Sequence, residues 1–511
     1  MRVTNLMMTN GMLSSIMANK ADMNKKYEQY ATQQKIQNPS DDPVIAIRAL
    51  KYRSNLSELQ QYREKNAEDA SSWMSATETA LTNMNSLLTE LYDKCVSGAT
   101  DTYETIDRDS MEQFLSNYKE EIYKSMNADN AGRYLFSGYR TDTSVCYTSD
   151  DSSKKYTITE PLTFENLYEK TYIKGGATYD PDKTAEEYKG EAPTTEKAYV
   201  MDLGYKNLGE LGLNVKDSDG NEVPIIINSR NSTDVDCYNP EQGEISFIAD
   251  TGQIVISKDL YETFRTAKSI VATYDKTKFE TGDVRPEMYY DCTSVELDDA
   301  GQEREGTEKK YTKPESQDIK YDVNFGQQLK VNVLANETIN SSYARAIDNI
   351  LNAVNDAYST QAKIDNANLL LSDSNKTPDE IAALNTLKEQ LETELTLKKS
   401  ILRESFANAQ TATKAAQNGI KVPYLNENGE TEIKKISVSI ATTSIGSRSA
   451  RLQMIQTRLD DLKVNYTELR DNNEVMDLEE AIVNYTAAQT AYNASLSAAG
   501  KMVQTSLLDF L

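Results

Sequence analysis

Histidine is absent from this chain, which removes histidine-based triads, histidine-ligated zinc and the commonest general base. Cysteine is scarce. Cys95, Cys146, Cys237 and Cys292 stand too far apart for a CxxC redox pair or a zinc knuckle, and they read as small buried residues. No apolar run of roughly 18 residues is present to span a bilayer. Positive charge is also short, with 55 Lys and Arg against 80 Asp and Glu, giving a net charge of -25. With a pI near 4.6 and no basic cluster, the chain repels phosphate backbones and anionic membrane surfaces, so neither nucleic acid nor membrane insertion is expected. The opening Met1-Arg2-Val3-Thr4-Asn5-Leu6-Met7-Met8 breaks into polar residues before an apolar h-region forms, and no secretory signal is expected there. A hydrophobic content of 38% over 511 residues and a mean hydropathy of -0.63 are low for one large globular core. They suit an elongated, soluble, high-surface protein.

What is present is helical seam at both ends. From Leu6, bulky residues step by three, four or seven through Leu13, Ile16, Met23, Tyr27 and Tyr30. The segment Asn38-Pro39-Ser40-Asp41-Asp42-Pro43 then interrupts the helix, with Asp42 as N-cap and Pro43 at the first helical position, where its missing N–H costs nothing. One long helix is predicted to follow through Leu56, Leu59, Ala70, Trp73, Ala80, Met84, Leu87 and Leu91, with Arg63, Asn66 and Thr77 as polar interruptions and an end at Gly98. A third helix from about Asp107 carries Met111, Leu115, Tyr118, Ile122 and Met126, making an antiparallel pair. Helical period stops at Gly132-Arg133-Tyr134, where glycine-bounded aromatics signal a strand or turn.

The texture then becomes β-rich, with runs at Val223 to Ile227, Glu244 to Ile248, Gln253 to Ile256 and Gln328 to Leu334. The polar, acidic stretch Thr277 to Lys313 reads as long surface loops. Helix resumes with Ile347, Ile350, Val354, Tyr358, Gln361, Ile364 and Leu371, and Thr377-Pro378-Asp379-Glu380 is a capping box launching Leu384, Leu391, Leu395, Leu402 and Ala409. Asn428-Gly429 between two β-prone runs marks a tight hairpin. A last pair of seams runs from Ile445 through Leu452, Ile455, Leu459, Leu462 and Tyr466 to Leu469, breaks at Asp471-Asn472-Asn473, and restarts at Leu478 with Ile482, Tyr485, Tyr492, Leu496, Ala499, Val503 and Phe510. This final helix is too thinly apolar to stand alone.

Two motifs have a sharper reading that the context weakens. Asp250-Thr251-Gly252 matches the aspartic-protease triplet but occurs in one copy between two short strands, so it reads as a hairpin turn. Asp217-Ser218-Asp219-Gly220-Asn221 begins like a calcium loop, yet its glycine comes two positions early and the twelfth residue is Asn228. No catalytic residue, metal ligand or cofactor site is assigned, and the chain reads as a non-enzyme.

The Asn38 to Pro43 break, the exit at Gly132 to Tyr139, the Thr486-Ala487-Ala488-Gln489-Thr490-Ala491-Tyr492 stretch and the ending Ser506-Leu507-Leu508-Asp509-Phe510-Leu511 resemble the flagellar hook-associated protein 3 family of the flagellin superfamily. The resemblance covers the first 145 and last 70 or so residues; the segment from Ser372 to Ile440 departs from shorter members. It implies that Asn38, Pro39, Ser40, Asp41, Asp42, Pro43, Gly132, Arg133, Tyr134, Ile482, Tyr485, Tyr492, Leu496, Leu507, Leu508, Phe510 and Leu511 serve assembly. It also implies terminal helices lining a tubular homo-oligomer at the hook-filament junction, export through the flagellar type III channel, and contacts with hook-associated protein 1, flagellin and a cytoplasmic export chaperone that holds Leu478 to Leu511. Flagellin itself is the alternative: it shares the helical plan, but has Asp-Asp-Ala where this chain has Asp41-Asp42-Pro43, and lacks the Leu-Asp-Phe-Leu ending. A surface adhesin with a coiled-coil stalk would need an anchor or secretion signal.

The expected fold is α+β: an elongated helical coiled-coil bundle formed by the N- and C-terminal segments, with a β-rich domain inserted between them. The expected regions are 1–144 (N-terminal coiled coil), 145–336 (β-rich, outward-projecting), 337–440 (helical hairpin plus β-hairpin) and 441–511 (C-terminal coiled coil).

Overall fold

The computed structural model describes residues 5–99, 108–190, 192–234, 236–313, 317–340, 342–373, 376–425 and 431–508. The chain opens with α1 (Asn5–Thr32) and α2 (Pro43–Gln60), followed by a π-helical segment, Gln61–Asn66, and α3 (Ala67–Gly98) and α4 (Arg108–Met126). The single long helix expected after Pro43 is thus interrupted by one π turn, at the place where Arg63 and Asn66 interrupt the apolar row. Short strands β1 (Asp129–Asn130) and β2 (Arg133–Tyr134) lead into β3 (Lys154–Leu162), β4 (Leu167–Lys174), α5 (Ala185–Gly190), β5 (Thr194–Asp202), β6 (Leu211–Lys216), β7 (Ile226–Arg230), β8 (Glu244–Ile248) and β9 (Gln253–Ile256). Next come α6 (Tyr261–Thr266), β10 (Ser269–Lys276), α7 (Pro286–Tyr289), β11 (Asp291–Glu296), β12 (Lys309–Tyr311), β13 (Lys320–Asn324), β14 (Gln327–Lys330) and α8 (Ala335–Thr338). The chain ends with α9 (Ser342–Leu371), α10 (Pro378–Asn418), β15 (Ile420–Leu425), β16 (Thr431–Ile436), α11 (Val438–Glu474) and α12 (Leu478–Leu508). Two compact units result: unit 1 takes residues 1–70, 321–329 and 450–511, and unit 2 takes 71–320 and 330–449.

Unit 2 holds two five-stranded sheets, ordered β12-β11-β3-β10-β6 and β4-β5-β9-β8-β7. The first is antiparallel throughout, and in the second only β7 runs parallel to its neighbour β8. Alternation decides the facing: β10 buries Ile270, Ala272 and Tyr274 on one side while its intervening residues are half-exposed. The surface-loop reading of Thr277 to Lys313 is corrected here. That stretch contributes β11, a central strand, and buries Phe279, Val284, Met288, Tyr289, Tyr290 and Cys292. Average polarity misled because the outward positions are acidic, whereas a few aromatics carry the core; Phe279 stacks on Tyr147 at 4.7 Å. The other β runs hold with shifts: β7 starts at Ile226 rather than Val223, and β14 ends at Lys330.

Asp250-Thr251-Gly252 is a turn between β8 and β9, its Asp250 carboxylate accepting the Ser232 N–H at 3.1 Å. Gly252 is required: its φ is +67°, and an added Cβ would strike the Tyr205 carbonyl oxygen. Asp217 closes its own turn by accepting from the N–H groups of Asp219 and Asn221 at 2.9 Å each. All four cysteines are buried free thiols, and burial pushes the Cys95 thiol up to about 12.

The antiparallel α3/α4 pairing is visible in its side chains: Tyr118 donates to Glu90, and Lys94 sits 5.2 Å over the Phe114 ring. The hairpin of α9 and α10 closes around Ala357, Ile364, Leu384, Leu387, Leu391 and Leu395. Tyr358, expected on that seam, is instead exposed, and its neighbour Ala357 is the buried residue there. β15 and β16 pair antiparallel as anticipated, while Asn428-Gly429 lies outside the described residues.

The capping box of α10 forms as read, with Thr377 N–H donating to Glu380 at 2.7 Å. The backbone N–H of Thr377, then its hydroxyl and Lys376, hold the Glu380 carboxyl down at about 2, against an ordinary 4.5. A depressed carboxylate stabilises the fold above its unfolded value and loses that contribution as pH falls from about 4.5 through about 2. Glu380→Gln should therefore melt below wild type at pH 7, with the gap closing by pH 2. A gap independent of pH in paired melting curves would assign the effect to packing instead.

Candidate assembly surface

In unit 1 the two termini meet at their turns. Gln33 leaves α1 with a φ of +57°, and the chain then pairs with the turn between α11 and α12. The Lys35 N–H donates to the Glu474 carbonyl at 2.8 Å, and the Met476 N–H donates to the Gln33 carbonyl at 2.9 Å. Around this bridge, Lys35 Nζ reaches the Asn472 carbonyl at 2.6 Å, Asn473 Nδ2 reaches the Ile45 carbonyl at 3.0 Å, and Arg53 pairs with Glu474 at 2.5 Å. Helix α11 runs on to Glu474 rather than breaking at Asp471 to Asn473, and this last turn is held by the Asn472 carbonyl and the Asn473 side-chain amide in the bridge.

The six-residue break divides its work between two carboxylates. Asp42 caps α2, accepting from Val44 N–H at 2.9 Å and Ile45 N–H at 3.2 Å, with Pro43 next to it. Asp41 turns the other way. It accepts from Asn38 N–H at 2.9 Å and Gln37 N–H at 3.1 Å, closing Asn38-Pro39-Ser40 into a turn. Those two backbone donors hold its carboxyl below the usual range. Asp42→Ala should cost about 1 kcal/mol of unit 1 stability while Asp42→Asn costs little, by chemical denaturation. Equal losses from both would show that the charge, not the capping acceptor, matters.

Helices α1 and α12 face each other through a narrow row. On α12 it comprises Ala481, Tyr485, Ala488, Tyr492 and Ala499, buried or half-buried; on α1 it comprises Met12, Ile16, Met23, Lys26 and Gln29. Tyr30 stacks on Tyr485 with centroids 6.0 Å apart, and Tyr27 tilts against the same ring at 5.6 Å. This corrects the expected seams. Tyr485 and Tyr492 lie inward, but Ile482, Leu496 and Leu478 face out, as do Leu6 and Leu13 on α1. On α12 the inner row alternates alanines with Tyr485 and Tyr492, facing the larger Met12, Ile16 and Met23 of α1, and further large apolar side chains are left on the outside.

Those outward side chains are continuous along the helices. On α2, Val44, Ile47 and Leu50 recur every three residues and are 57%, 66% and 65% exposed. Leu6, Met7 and Met17 on α1 and Val483 on α12 are each above 60% exposed, and Ile482, Val483, Thr486, Ala487, Thr490, Ala491 and Ala494 line an open apolar groove. Fully covering one such Val, Leu or Ile is worth roughly 1.5–3 kcal/mol, so a partner covering the α2 row alone would gain several kcal/mol. Exposed apolar rows of this kind mark an interaction surface.

Comparison with known proteins matches residues 3–141 to the family described as the bacterial flagellin N-terminal helical region. That segment is similar to the flagellin-type helical region. Over 143 residues the chain is 29% identical to flagellar hook-associated protein 3 of Salmonella typhimurium, covering 28% of this chain and 45% of that protein. It is 28% identical over 144 residues to flagellar hook-associated protein 3 of Escherichia coli, again 28% of this chain and 45% of the other. The matched part thus spans less than half the length of these relatives. Among solved structures, the Legionella pneumophila flagellar hook associated protein-3 is similar over 82% of this chain and 97% of its own, at 10% identity and a TM-score of 0.30. Xanthomonas campestris FlgL is similar over 71% and 93%, at 12% identity and a TM-score of 0.22.

Within the matched residues 3–141, Gly132-Arg133-Tyr134 belongs to unit 2, not to the turn-and-helix surface of unit 1. Ala131 and Gly132, with φ of +53° and +77°, form the turn of the β1/β2 hairpin, and Gly132 N–H donates to Asp129 at 2.9 Å. The Arg133 guanidinium lies 5.0 Å over the Trp73 ring. Leu507 and Leu508 fall in the last backbone turn of α12 and their side chains are outside the description, while Phe510 and Leu511 lie outside the described residues. Sequence reasoning missed the Gln33 to Lys35 bridge and the α2 outer row. The row was legible as an apolar i, i+3, i+6 series off the seam; a backbone bridge leaves no side-chain signal. Among the described residues no helix is long and apolar enough to cross a membrane, and no cluster suited to a metal ion occurs.

Proposed function

We propose that this protein is a structural subunit of the bacterial flagellum that joins hook to filament as hook-associated protein 3. The observation that carries the reading is the division of labour on the terminal helices. One narrow row, Tyr485, Tyr492 and the alanines between them against Met12, Ile16 and Met23, closes α12 on α1, and other large apolar residues on α1, α2 and α12 remain outward, free to meet copies of the same chain and adjoining subunits. The likeness of residues 3–141 to the bacterial flagellin N-terminal region, and of a 143-residue stretch to hook-associated protein 3, supplies the setting. In this reading the chain acts by packing alone, without catalysis, cofactor or metal. The β-rich region at 145–336 projects outward, and the neighbours are hook-associated protein 1 on one side and flagellin on the other. Export proceeds through the flagellar type III channel, with a cytoplasmic chaperone covering Leu478 to Leu511 beforehand.

The second reading is flagellin, favoured by the family description matched at residues 3–141. Immunogold labelling of intact flagella separates the two. Label confined to the distal end of the hook supports the junction, and label along the filament overturns it in favour of a filament subunit.

A further inference from the structure

A π turn is uncommon and often marks a functional site, and the one between α2 and α3 is matched by side chains at its own spacing. The Ala67 N–H donates to the Tyr62 carbonyl, five residues back. Gln61 Nε2 donates to Asn66 Oδ1 at 3.2 Å and Arg63 Nη1 to Glu68 Oε1 at 2.6 Å, both pairs five residues apart. An α-helix would turn such pairs roughly 140° away from each other. The segment is also gripped from the side by the β13/β14 hairpin, whose residues 321–329 belong to the same unit. Asn66 Nδ2 donates to the Asp322 carbonyl at 2.7 Å, and the Phe325 and Tyr62 rings meet edge to face at 5.3 Å. Across from the hairpin, Arg63 binds Asp460 at 3.0 Å and Glu64 binds Lys463 at 2.9 Å on α11. Phe325 is 44% exposed, so the grip is a surface contact rather than a core one.

We propose that Gln61–Asn66 is a latched hinge. Asp322 and Phe325 hold it in the π form; when the hairpin lets go, the segment converts to α-helix and α2 turns about its axis by roughly 100° relative to Ala67 to Ala70. The use of the hinge rests on the structural-subunit reading: it gives the Val44, Ile47 and Leu50 row two azimuths for two unlike neighbours. The hinge itself is a property of the isolated chain and is tested there.

The test is amide hydrogen exchange on the full chain, comparing wild type, Phe325→Ala and a deletion of Lys65 that removes the extra residue. In wild type, amides of Arg63 to Ala67 should exchange roughly tenfold faster than those of Leu56 to Leu59. Phe325→Ala should speed the same amides roughly fivefold further while α11 amides stay unchanged, and the Lys65 deletion should slow them to the rate of α2. Unchanged exchange in Phe325→Ala overturns the latch. Acceleration spreading into α11 overturns it too, by making the hairpin a general support, and faster exchange in the deletion overturns the π-to-α conversion. Failure of the junction reading would show only in the labelling of flagella, leaving these rates untouched.

Discussion

A chain lacking residues 478–511 should fail to enter flagellar assemblies, and should lose the helix signal of α1 as well as that of α12. The first loss follows from removing the outward groove of Ile482, Val483, Ala487 and Ala491. The second is physical and larger than the deletion itself. α1 has 28 residues with only a narrow row of apolar contacts, and α12, with 31, supplies the partner for that row. Without Tyr485 under Tyr27 and Tyr30, and without the rest of the buried row of α12, α1 is a solvated helix of marginal stability. Far-UV circular dichroism should fall by the signal of both helices, while the melting transition of unit 2 persists. Retention of α1 helicity in the truncated chain would show that α1 is self-sufficient, and the coupling of folding to assembly would be lost with it.

The second large effect concerns Trp73. It is 1% exposed on α3, with Arg133 from the β1/β2 hairpin over its face. Trp73→Ala should destabilise unit 2 by about 3–5 kcal/mol, the range for emptying an aromatic site in a packed core. The indole N–H has no hydrogen-bond partner among the described residues, so Trp73→Phe, which removes that group and part of the volume, should cost far less. Urea denaturation followed by circular dichroism measures both. A loss under about 1 kcal/mol for the alanine variant would mean that the site collapses around the cavity and that Arg133 is not held by it.

Much of the fold was legible because its signals are local. Asp42-Pro43 and Thr377-Pro378-Asp379-Glu380 are complete capping instructions within a few residues, and both operate as read. The strands around Asp250-Thr251-Gly252 announced their turn in the same way. The stretch Thr277 to Lys313 was misread because burial there depends on Tyr147 and Tyr156 packing on Phe279 from more than a hundred residues away. The terminal seams were half right: periodicity identifies a helix and an apolar stripe, but Ile482 and Tyr485 lie close enough in phase that the pattern cannot say which one meets α1.

From the residues alone came the helical ends, the break between them, the β-rich middle and the acidic, histidine-free character that leaves little room for histidine-based chemistry or nucleic acid. Those properties depend on chain-local spacing and on totals. Tertiary structure decided which side of each terminal helix is spent inside the chain and which is left for others. That choice belongs to packing in three dimensions: α1 and α12 seat on the row of Tyr485, Tyr492 and the alanines between them, and further bulky side chains such as Ile482 and Leu6 stay outward for a neighbour to cover.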